Sequence, residues 1–208
     1  MIFLFIHGTF GTPNDAWFPW LKKELETLGH EVIAPQFPTD DWEKISNLTV
    51  EEFTSNQSLS SWMEVFESIY PELKNRTDVS IVGHSMGTVF SLHIAERHAI
   101  KFRHVYFVAP FLYPATAEEL KNREVALIDN ANKTFYKKDF DFDFIRKYIA
   151  DSVAVYSDDD PYIQEREALE FAQNMGSSVI KLSGLGHMGT ESGMKTFPQL
   201  LDVIRRDI

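Results

Sequence analysis

Residues 79–87 read Val-Ser-Ile-Val-Gly-His-Ser-Met-Gly, and an amphipathic stretch follows them up to His98. A short β-branched run that leads into Gly-x-Ser-x-Gly is typical of a strand that turns sharply into a helix. Such a turn projects the hydroxyl of Ser85 above the sheet, while Gly83 and Gly87 leave room for the neighbouring strand and helix. The free N–H groups at the helix start favour negative charge that develops there. We therefore predict that Ser85 is a nucleophile.

Similar apolar runs recur on both sides of this stretch. The predicted strands are Ile2–Ile6, Glu31–Ala34, Val79–Val82, His104–Ala109, Ser152–Tyr156 and Ser178–Leu182. The predicted helices between and after them are Trp17–Leu28, Ser60–Tyr70, Met86–His98, Tyr162–Met175 and Thr196–Ile208. Alternating strands and helices indicate βαβ units with right-handed crossovers, so the sequence predicts an α/β fold with a doubly wound, mostly parallel sheet of about six strands. We expect these strands to be buried on both faces.

The domain organisation follows from the length and from the absence of a Gly/Ser-rich linker. With 208 residues and no internal repeat, the chain is expected to form a single domain, 1–208. One connection, residues 112–150, is longer than the others and rich in aromatic residues. It predicts either a small lid over the sheet edge or an ordinary long crossover whose aromatic side chains pack in the core.

Composition excludes several classes of protein. The chain has 20 basic and 31 acidic residues, a formal net charge of −11, so we expect neither a nucleic-acid partner nor an anionic membrane. It has no cysteine, which excludes disulfides, thiolate metal sites and a cysteine nucleophile. The segment Asp139–Asp143 resembles the start of a calcium loop, but Phe144 and Ala150 stand where the required glycine and glutamate would be. We predict no metal and no cofactor.

The N-terminal apolar run is short and has no preceding Lys or Arg, unlike a signal peptide. No stretch approaches the ~18 apolar residues of a membrane span. We therefore expect a cytoplasmic protein. The sequence leaves its oligomeric state open.

A serine hydroxyl needs a histidine to accept its proton. Among the seven histidines, His187 lies in a glycine-rich loop directly after the last predicted strand, where it can reach over the sheet to Ser85. His84 flanks the serine and cannot easily fold back onto it. The remaining candidates are predicted to be structural or solvated: His30, His93, His98 and His104. We predict His187 as the general base.

The imidazole in turn needs a carboxylate that fixes its tautomer. The loop after the strand Ser152–Tyr156 offers three aspartates, Asp158–Asp160. We favour Asp160, because Pro161 follows it and is expected to start the next helix. Asp159 remains the alternative, and one of the three is expected to cap that helix. The order Ser85, Asp160, His187 along the chain is that of α/β-hydrolases.

An oxyanion hole needs two preorganised N–H donors. We predict the N–H of Met86, after the nucleophile, and that of Thr9 in the loop after the first strand, with Phe10 as the alternative to Thr9. His7, at the start of this loop, is interpreted as a structural residue that holds the loop in place.

The substrate pocket is predicted from aromatic residues in loops that follow strands. The residues expected there are Phe10, Trp17, Phe37, Trp42, Phe111 and Tyr113, of which Phe10, Trp17, Phe111 and Tyr113 are the predicted substrate-binding residues. An alternative is that Trp17 and Trp20 pack the first helix against the sheet. Acidic residues expected near the rim, Asp40, Asp41 and Glu191, would discourage anionic substrates.

The motifs together resemble a known family. Residues 7–13, His-Gly-Thr-Phe-Gly-Thr-Pro, and residues 17–21, Trp-Phe-Pro-Trp-Leu, are similar to those of the small serine hydrolases related to retinoblastoma-binding protein 9 and YdeN, as are the Gly-x-Ser-x-Gly, Asp-Asp-Pro and Gly-His motifs. The resemblance covers essentially the whole chain. It implies a compact α/β-hydrolase domain with few or no lid insertions and an ester hydrolase with Ser85, Asp160 and His187 as its triad. The aromatic segment from Tyr113 to Tyr148 departs from the family.

The sequence therefore predicts a serine hydrolase with a small-molecule substrate, foremost a carboxylesterase for short-acyl esters. A thioesterase, a lipase or an amide hydrolase would use the same residues. The alternative from another class is a non-catalytic binding module on a hydrolase fold.

Overall fold

A single sheet of six parallel strands forms the centre of the computed structural model, which describes residues 1–208. The strands are β1 (Ile2–Ile6), β2 (Glu31–Ile33), β3 (Val79–His84), β4 (Phe102–Val108), β5 (Ile149–Ser157) and β6 (Ser178–Leu182). Their spatial order is β2-β1-β3-β4-β5-β6, and every neighbouring pair is parallel. Parallel strands need crossover connections, which is why helices separate them along the chain.

Eight α-helices complete the structure. They are α1 (Phe18–Thr27), α2 (Trp42–Ile45), α3 (Leu59–Leu73), α4 (Met86–His98), α5 (Arg123–Asn132), α6 (Phe142–Ile145), α7 (Glu165–Met175) and α8 (Pro198–Asp207), and a 3₁₀ turn spans Glu119–Lys121. None of them combines the length and the hydrophobicity that crossing a lipid bilayer requires.

Strand β1 shows how the two faces of the sheet are covered. Because successive side chains of a strand point to opposite faces, Ile2, Leu4 and Ile6 join one core cluster and Phe3 and Phe5 the other. The first cluster includes residues of α3, α4 and α7, and the second includes residues of α1 and α8. The sheet thus has helices on both faces, as the alternation of apolar runs predicts.

The direction of the chain across the sheet reverses between β1 and β3. From β1 the chain first moves outward to β2, then returns to the other side of β1 and continues from β3 to β6. In an open α/β sheet the crevice outside the carboxyl ends of the strands at such a reversal is where ligands bind. The loop after β1 and the turn after β3 both begin at this crevice.

The long connection between β4 and β5 contributes side chains to the core. Phe111, Phe135 and Phe140 are buried in the same core cluster as residues of α3 and α4. Within this segment, α5 also contacts the small cluster around Ile45 and Phe53. The connection is therefore part of the core on one side, and its other side is available to form a wall of a cavity.

Two sequence predictions are wrong in detail. The two edge strands of the sheet, β2 and β6, are not buried on both faces, since Glu31 is exposed and 43% of Val179 is exposed. Helix α7 does not begin at Tyr162, and Pro161 does not start it. It begins at Glu165, where Gln164 and Glu167 form a reciprocal capping box.

Candidate active site

The turn after β3 places Ser85 in a conformation that few L-residues adopt, with φ 53° and ψ −121°. The two motif glycines permit it. A Cβ on Gly87 would lie 2.3 Å from the carbonyl oxygen of Ile6, and one on Gly83 would lie 2.9 Å from that of Gly87. Only glycine therefore allows α4 to approach β1 and β3 so closely. The backbone is held in this strained form by a 2.8 Å hydrogen bond from the Ser85 N–H to the Val108 carbonyl.

A histidine–aspartate pair lies at the same end of the sheet. Nδ1 of His187 is 2.7 Å from Oδ2 of Asp160, and only 2% of the Asp160 side chain is exposed. The other carboxylate oxygen of Asp160 accepts hydrogen bonds from the N–H groups of Tyr162 and Ile163, at 2.9 and 3.0 Å. These bonds orient the carboxylate so that its other oxygen accepts the Nδ1–H of the imidazole, which leaves Nε2 as the ring nitrogen without a proton.

The two neighbouring aspartates hold the histidine loop instead. Asp159 accepts a hydrogen bond from the Gly186 N–H at 2.9 Å and one from the Ser157 hydroxyl at 2.6 Å. These bonds lower the pKa of the Asp159 carboxyl. Asp158 accepts from the Ser183 hydroxyl at 2.7 Å. The three carboxylates of this loop therefore divide into one that contacts the imidazole and two that fix the backbone before it.

Two buried side chains form hydrogen bonds with the backbone carbonyls at His187 and Met188. Nε2 of His84 lies 2.9 Å from the His187 carbonyl oxygen, and the indole N–H of Trp17 donates to the Met188 carbonyl at 2.7 Å. Burial, and then the charge of His187, lower the pKa of His84 to about 4. His84 is therefore a neutral imidazole whose Nε2–H donates to the His187 carbonyl.

The loop after β1 is held by His7, as the sequence predicts. The Phe37 N–H donates to Nε2 of His7 at 3.0 Å, so Nδ1–H donates to the Gly8 carbonyl at 2.8 Å. Burial lowers the pKa of His7. The loop runs close to the serine, because a Cβ on Gly8 would lie 2.9 Å from Cβ of Ser85.

This loop carries free N–H groups beside the serine. The backbone N–H groups of Thr9 and Phe10 make no hydrogen bond within the protein, and Phe10 has a positive φ of 58°. The Met86 N–H is the first of α4 and has no intrahelical acceptor. The Thr9 hydroxyl donates to the side-chain oxygen of Asn132 at 2.6 Å, which ties the loop to α5.

A cavity of about 520 Å³ opens over these groups. Ser85 and His187 line it. Four of the aromatic residues predicted for the pocket line it as well: Phe10, Trp42, Phe111 and Tyr113. Helix α5 and the loop after Asp160 supply much of the remaining wall. No group of three or more His, Asp or Glu side chains in the structure is arranged to hold a metal ion.

Two predicted aromatic residues do not reach the cavity. Trp17 is fully buried and stacks on Phe18, so the prediction that it binds substrate is wrong and the packing alternative holds. Phe37 is likewise buried, against Trp62 and the ring of His7.

Of the acidic residues expected at the rim, only Glu191 lines the cavity. Asp40 accepts hydrogen bonds from Ser55 and Asn56, and Asp41 caps α2.

The sequence reasoning missed the residues that α5 contributes. Glu124, Ile128 and Asn132 all line the cavity, and Tyr162 packs edge-on against the His187 ring at 5.2 Å. Tyr162 could have been found from its position two residues after Asp160. For α5 no such signal exists, because its apolar positions suit packing as well as a pocket wall.

Comparison with known proteins identifies the family. A family model described as serine hydrolase matches residues 3–206. The chain belongs to the serine hydrolase family. It is 21% identical over 193 residues to the serine hydrolase RBBP9 of Rattus norvegicus, which covers 92% of this chain and 86% of the relative.

Solved structures of this serine hydrolase's relatives agree in fold. The crystal structure of the ydeN gene product from B. subtilis superimposes with a TM-score of 0.78 at 20% identity, covering 99% of this chain and 97% of that one. A structure from a study of carboxylesterases of Nitrososphaera gargenis matches with a TM-score of 0.65 at 14% identity, covering 98% and 88% of the two chains. The predicted α/β-hydrolase fold and the resemblance to the YdeN group are confirmed.

Proposed function

We propose that this serine hydrolase is a carboxylesterase for small or short-acyl esters, with Ser85 as nucleophile, His187 as base and Asp160 as the acid that orients it. The observation that carries the proposal is the His187–Asp160 pair at the wall of the cavity that Ser85 also lines. Both partners of a serine nucleophile are thereby present at one concave site, together with free N–H groups for an oxyanion.

The reaction follows from these positions. Ser85 Oγ attacks the ester carbonyl carbon while Nε2 of His187 takes its proton, and the carbonyl π electrons move onto oxygen. The N–H groups of Met86 and Thr9, or Phe10 in place of Thr9, stabilise that oxyanion. His187 then returns the proton to the leaving alcohol, and an acyl-enzyme remains. Water then attacks the acyl carbon while Nε2 of His187 takes its proton. The bond between that carbon and Ser85 Oγ breaks, His187 returns the proton to Oγ, and the carboxylic acid is released.

The size of the cavity supports small substrates. A volume of about 520 Å³ is within the range of roughly 300–1,000 Å³ that is common for small-molecule sites. A structural neighbour comes from work on carboxylesterases, and another neighbour, Est1E of Butyrivibrio proteoclasticus, binds ferulic acid. These neighbours support an ester substrate for this chain without naming one.

The experiment is a chain-length series of p-nitrophenyl esters with wild type and Ser85→Ala. We expect kcat/KM to peak at short acyl chains in the wild type, and turnover to fall to background in Ser85→Ala with unchanged thermal stability. Ser68→Ala, at an exposed serine of α3, is the matched control and should behave like wild type. Thioesters and anilides of the preferred acyl group are measured in parallel, and faster turnover of either would replace the carboxylesterase assignment.

A further inference from the structure

The cavity over Ser85 is lined by carboxylates and by no lysine or arginine. The carboxylates come from the β1 loop, the β4–β5 connection, α7 and the His187 loop. They are Asp15, Glu119, Glu124, Asp129, Glu167 and Glu191. Ser85 and His187 line this cavity, which makes it a candidate substrate site regardless of the carboxylates. The carboxylates then influence which substrate charges the site binds.

These six carboxylates have no ion-pair partner. Elsewhere in the molecule carboxylates pair with cations, as Glu96 does with Lys137 and Glu165 with Lys181, but none of the six lies within 4.0 Å of a Lys, Arg or His nitrogen. Arg166 is near enough to influence Glu119 and Glu167 electrostatically, yet it neither pairs with them nor lines the cavity.

Neutral donors hold these carboxylates in place instead. The Tyr162 hydroxyl donates to Glu124 at 2.9 Å, the Tyr136 hydroxyl donates to Asp129 at 2.8 Å, and the Gln164 N–H donates to Glu167 at 2.9 Å. Such bonds orient a carboxylate but leave its negative charge uncompensated. Burial, and then the charge of Glu119, raise the pKa of Glu167. Glu119 and Glu167 are therefore close enough to repel each other, and neither forms an ion pair.

Several aromatic side chains line the same cavity as the carboxylates. Phe10, Trp42, Tyr113, Tyr136 and Tyr162 all line the cavity. The face of an aromatic ring attracts an ammonium or quaternary ammonium group, and carboxylates around it strengthen the attraction. Apolar walls with fixed negative charge suit an organic cation and repel an organic anion.

We propose that the cavity selects esters whose acyl or alcohol half carries an ammonium group, and that it discriminates against esters that carry a carboxylate or phosphate. This inference rests on the proposed ester hydrolysis and adds the charge of its substrate. The observation behind it is that six carboxylates without an ion-pair partner and several aromatic side chains line a cavity that has no lysine or arginine.

The test compares esters that differ only in charge. For the acyl half, the p-nitrophenyl ester of γ-trimethylammoniobutyrate is measured against its carbon isostere, in which a quaternary carbon replaces nitrogen, and against the half ester of adipate. For the alcohol half, acetylcholine is measured against the acetate with a tert-butyl group in place of trimethylammonium, by pH-stat titration. In at least one of the two pairs we expect the cationic ester to have a kcat/KM roughly tenfold or more above its neutral isostere at low salt, with the ratio falling as salt is added. The adipate half ester should be the poorest of its set.

Two paired variants assign the preference to these carboxylates. Glu124→Gln/Glu167→Gln removes two charges from the cavity while each amide oxygen can still accept its present hydrogen bond. Glu64→Gln/Glu72→Gln removes two charges from exposed positions on α3, away from the cavity. The ratio of cationic to neutral kcat/KM should fall several-fold in the first variant and stay at the wild-type value in the second. If the first double variant does not fold, Glu124→Gln alone is measured.

Three results would overturn the charge inference. If wild type hydrolyses the neutral isosteres at least as well as the cationic esters in both pairs, the charge inference is overturned while the hydrolase assignment stands. If the cavity variant and the surface variant change the ratio equally, the cavity carboxylates are not its cause and the inference is likewise overturned. If wild type turns over none of the esters and a fluorophosphonate does not label Ser85, the proposed function fails and this inference fails with it.

Discussion

The three consecutive aspartates after β5 form hydrogen bonds with different partners. Asp160 contacts Nδ1 of His187, whereas Asp159 binds the Gly186 N–H just before that histidine. Chain position alone does not separate them, because both stand at the carboxyl end of the same strand. What separates them is the turn at residues 160–163, in which the Tyr162 and Ile163 N–H groups hold one oxygen of Asp160 and aim the other at the imidazole.

The two aspartates should therefore respond differently to the same change. Asp160→Asn removes the charge that stabilises the imidazolium and allows the wrong tautomer, so kcat should fall by about 10³–10⁴-fold with little change in KM. Asp159→Asn loosens the loop and should lower kcat by about tenfold or less. Steady-state kinetics with a short p-nitrophenyl ester measures both. A larger loss in Asp159→Asn would assign the triad acid to Asp159.

His84 is a positioning residue for His187 in this account, because its Nε2–H donates to the His187 carbonyl. His84→Leu leaves that buried carbonyl without a donor and should lower kcat roughly tenfold to a hundredfold, since small displacements of a base are costly. His84→Gln can place a donor at nearly the same point and should recover most of the loss. Equal losses in the two variants, or a loss confined to KM, would contradict the positioning role.

At the scale of elements, the contact between α4 and β1 governs the serine turn. A Cβ on Gly87 of α4 would lie 2.3 Å from the Ile6 carbonyl oxygen, and the Ile6 backbone belongs to β1, which is paired with a strand on each side. The position of Ser85 therefore depends on how closely a helix can approach a strand.

Gly87→Ala tests that contact. The clash with backbone should lower the free energy of unfolding by about 2 kcal/mol or more and lower hydrolase activity in the fraction that remains folded. Gly184→Ala is the control, because Gly184 has open space around it and only a left-handed φ of 74°, so it should cost about 1 kcal/mol. Urea unfolding measures both, and a smaller loss in Gly87→Ala than in the control would refute the close-packing argument.

How well each element could be predicted depends on what stabilises it. Helix α4 and strands β1 and β6 have the predicted bounds, because each is a strongly apolar run with a glycine within two residues of at least one end. Helix α7 begins later than predicted because its N-terminal cap is the reciprocal Gln164/Glu167 box, which local patterning around Pro161 does not reveal. Helix α5 was predicted only as part of a long segment, since its residues divide between a core cluster and a cavity wall.

At the scale of the whole molecule, the structure buries several histidines in neutral form. Burial lowers the pKa of His7, His84 and His93, and for His84 the value is about 4. When a base has a lower pKa in the folded than in the unfolded chain, the unfolded chain takes up the proton first as the pH falls. The stability that depends on neutral His84 is therefore complete above its unfolded pKa of about 6.5 and is lost progressively down to pH 4.

The free energy of unfolding should accordingly decrease on acidification, with His84 alone contributing about 3 kcal/mol between neutral pH and pH 4. Urea titrations at a series of pH values measure the slope. His84→Gln should flatten it clearly, and His30→Gln, at a half-buried histidine, should flatten it less. A slope that His84→Gln leaves unchanged would show that His84 is not the neutral buried group described above.

The sequence alone predicts the residue types of the candidate site and their order along the chain. It does not predict the distances between their side chains. The motif around Ser85 and the glycines before His187 indicate the candidate nucleophile and the candidate base, because each residue follows a strand at the same end of the sheet. The choice between Asp159 and Asp160, the burial of Trp17 and the carboxylates of α5 depend on loop and crossover geometry, which no local pattern encodes.

Reaction of the wild-type protein with a fluorophosphonate, followed by peptide mass spectrometry, tests directly whether Ser85 is an activated nucleophile. We expect one stoichiometric adduct on Ser85, formed much more slowly in Asp160→Asn than in Asp159→Asn. A folded wild type that forms no adduct, or forms it on another residue, would exclude Ser85 as the nucleophile and favour a binding module on a hydrolase fold.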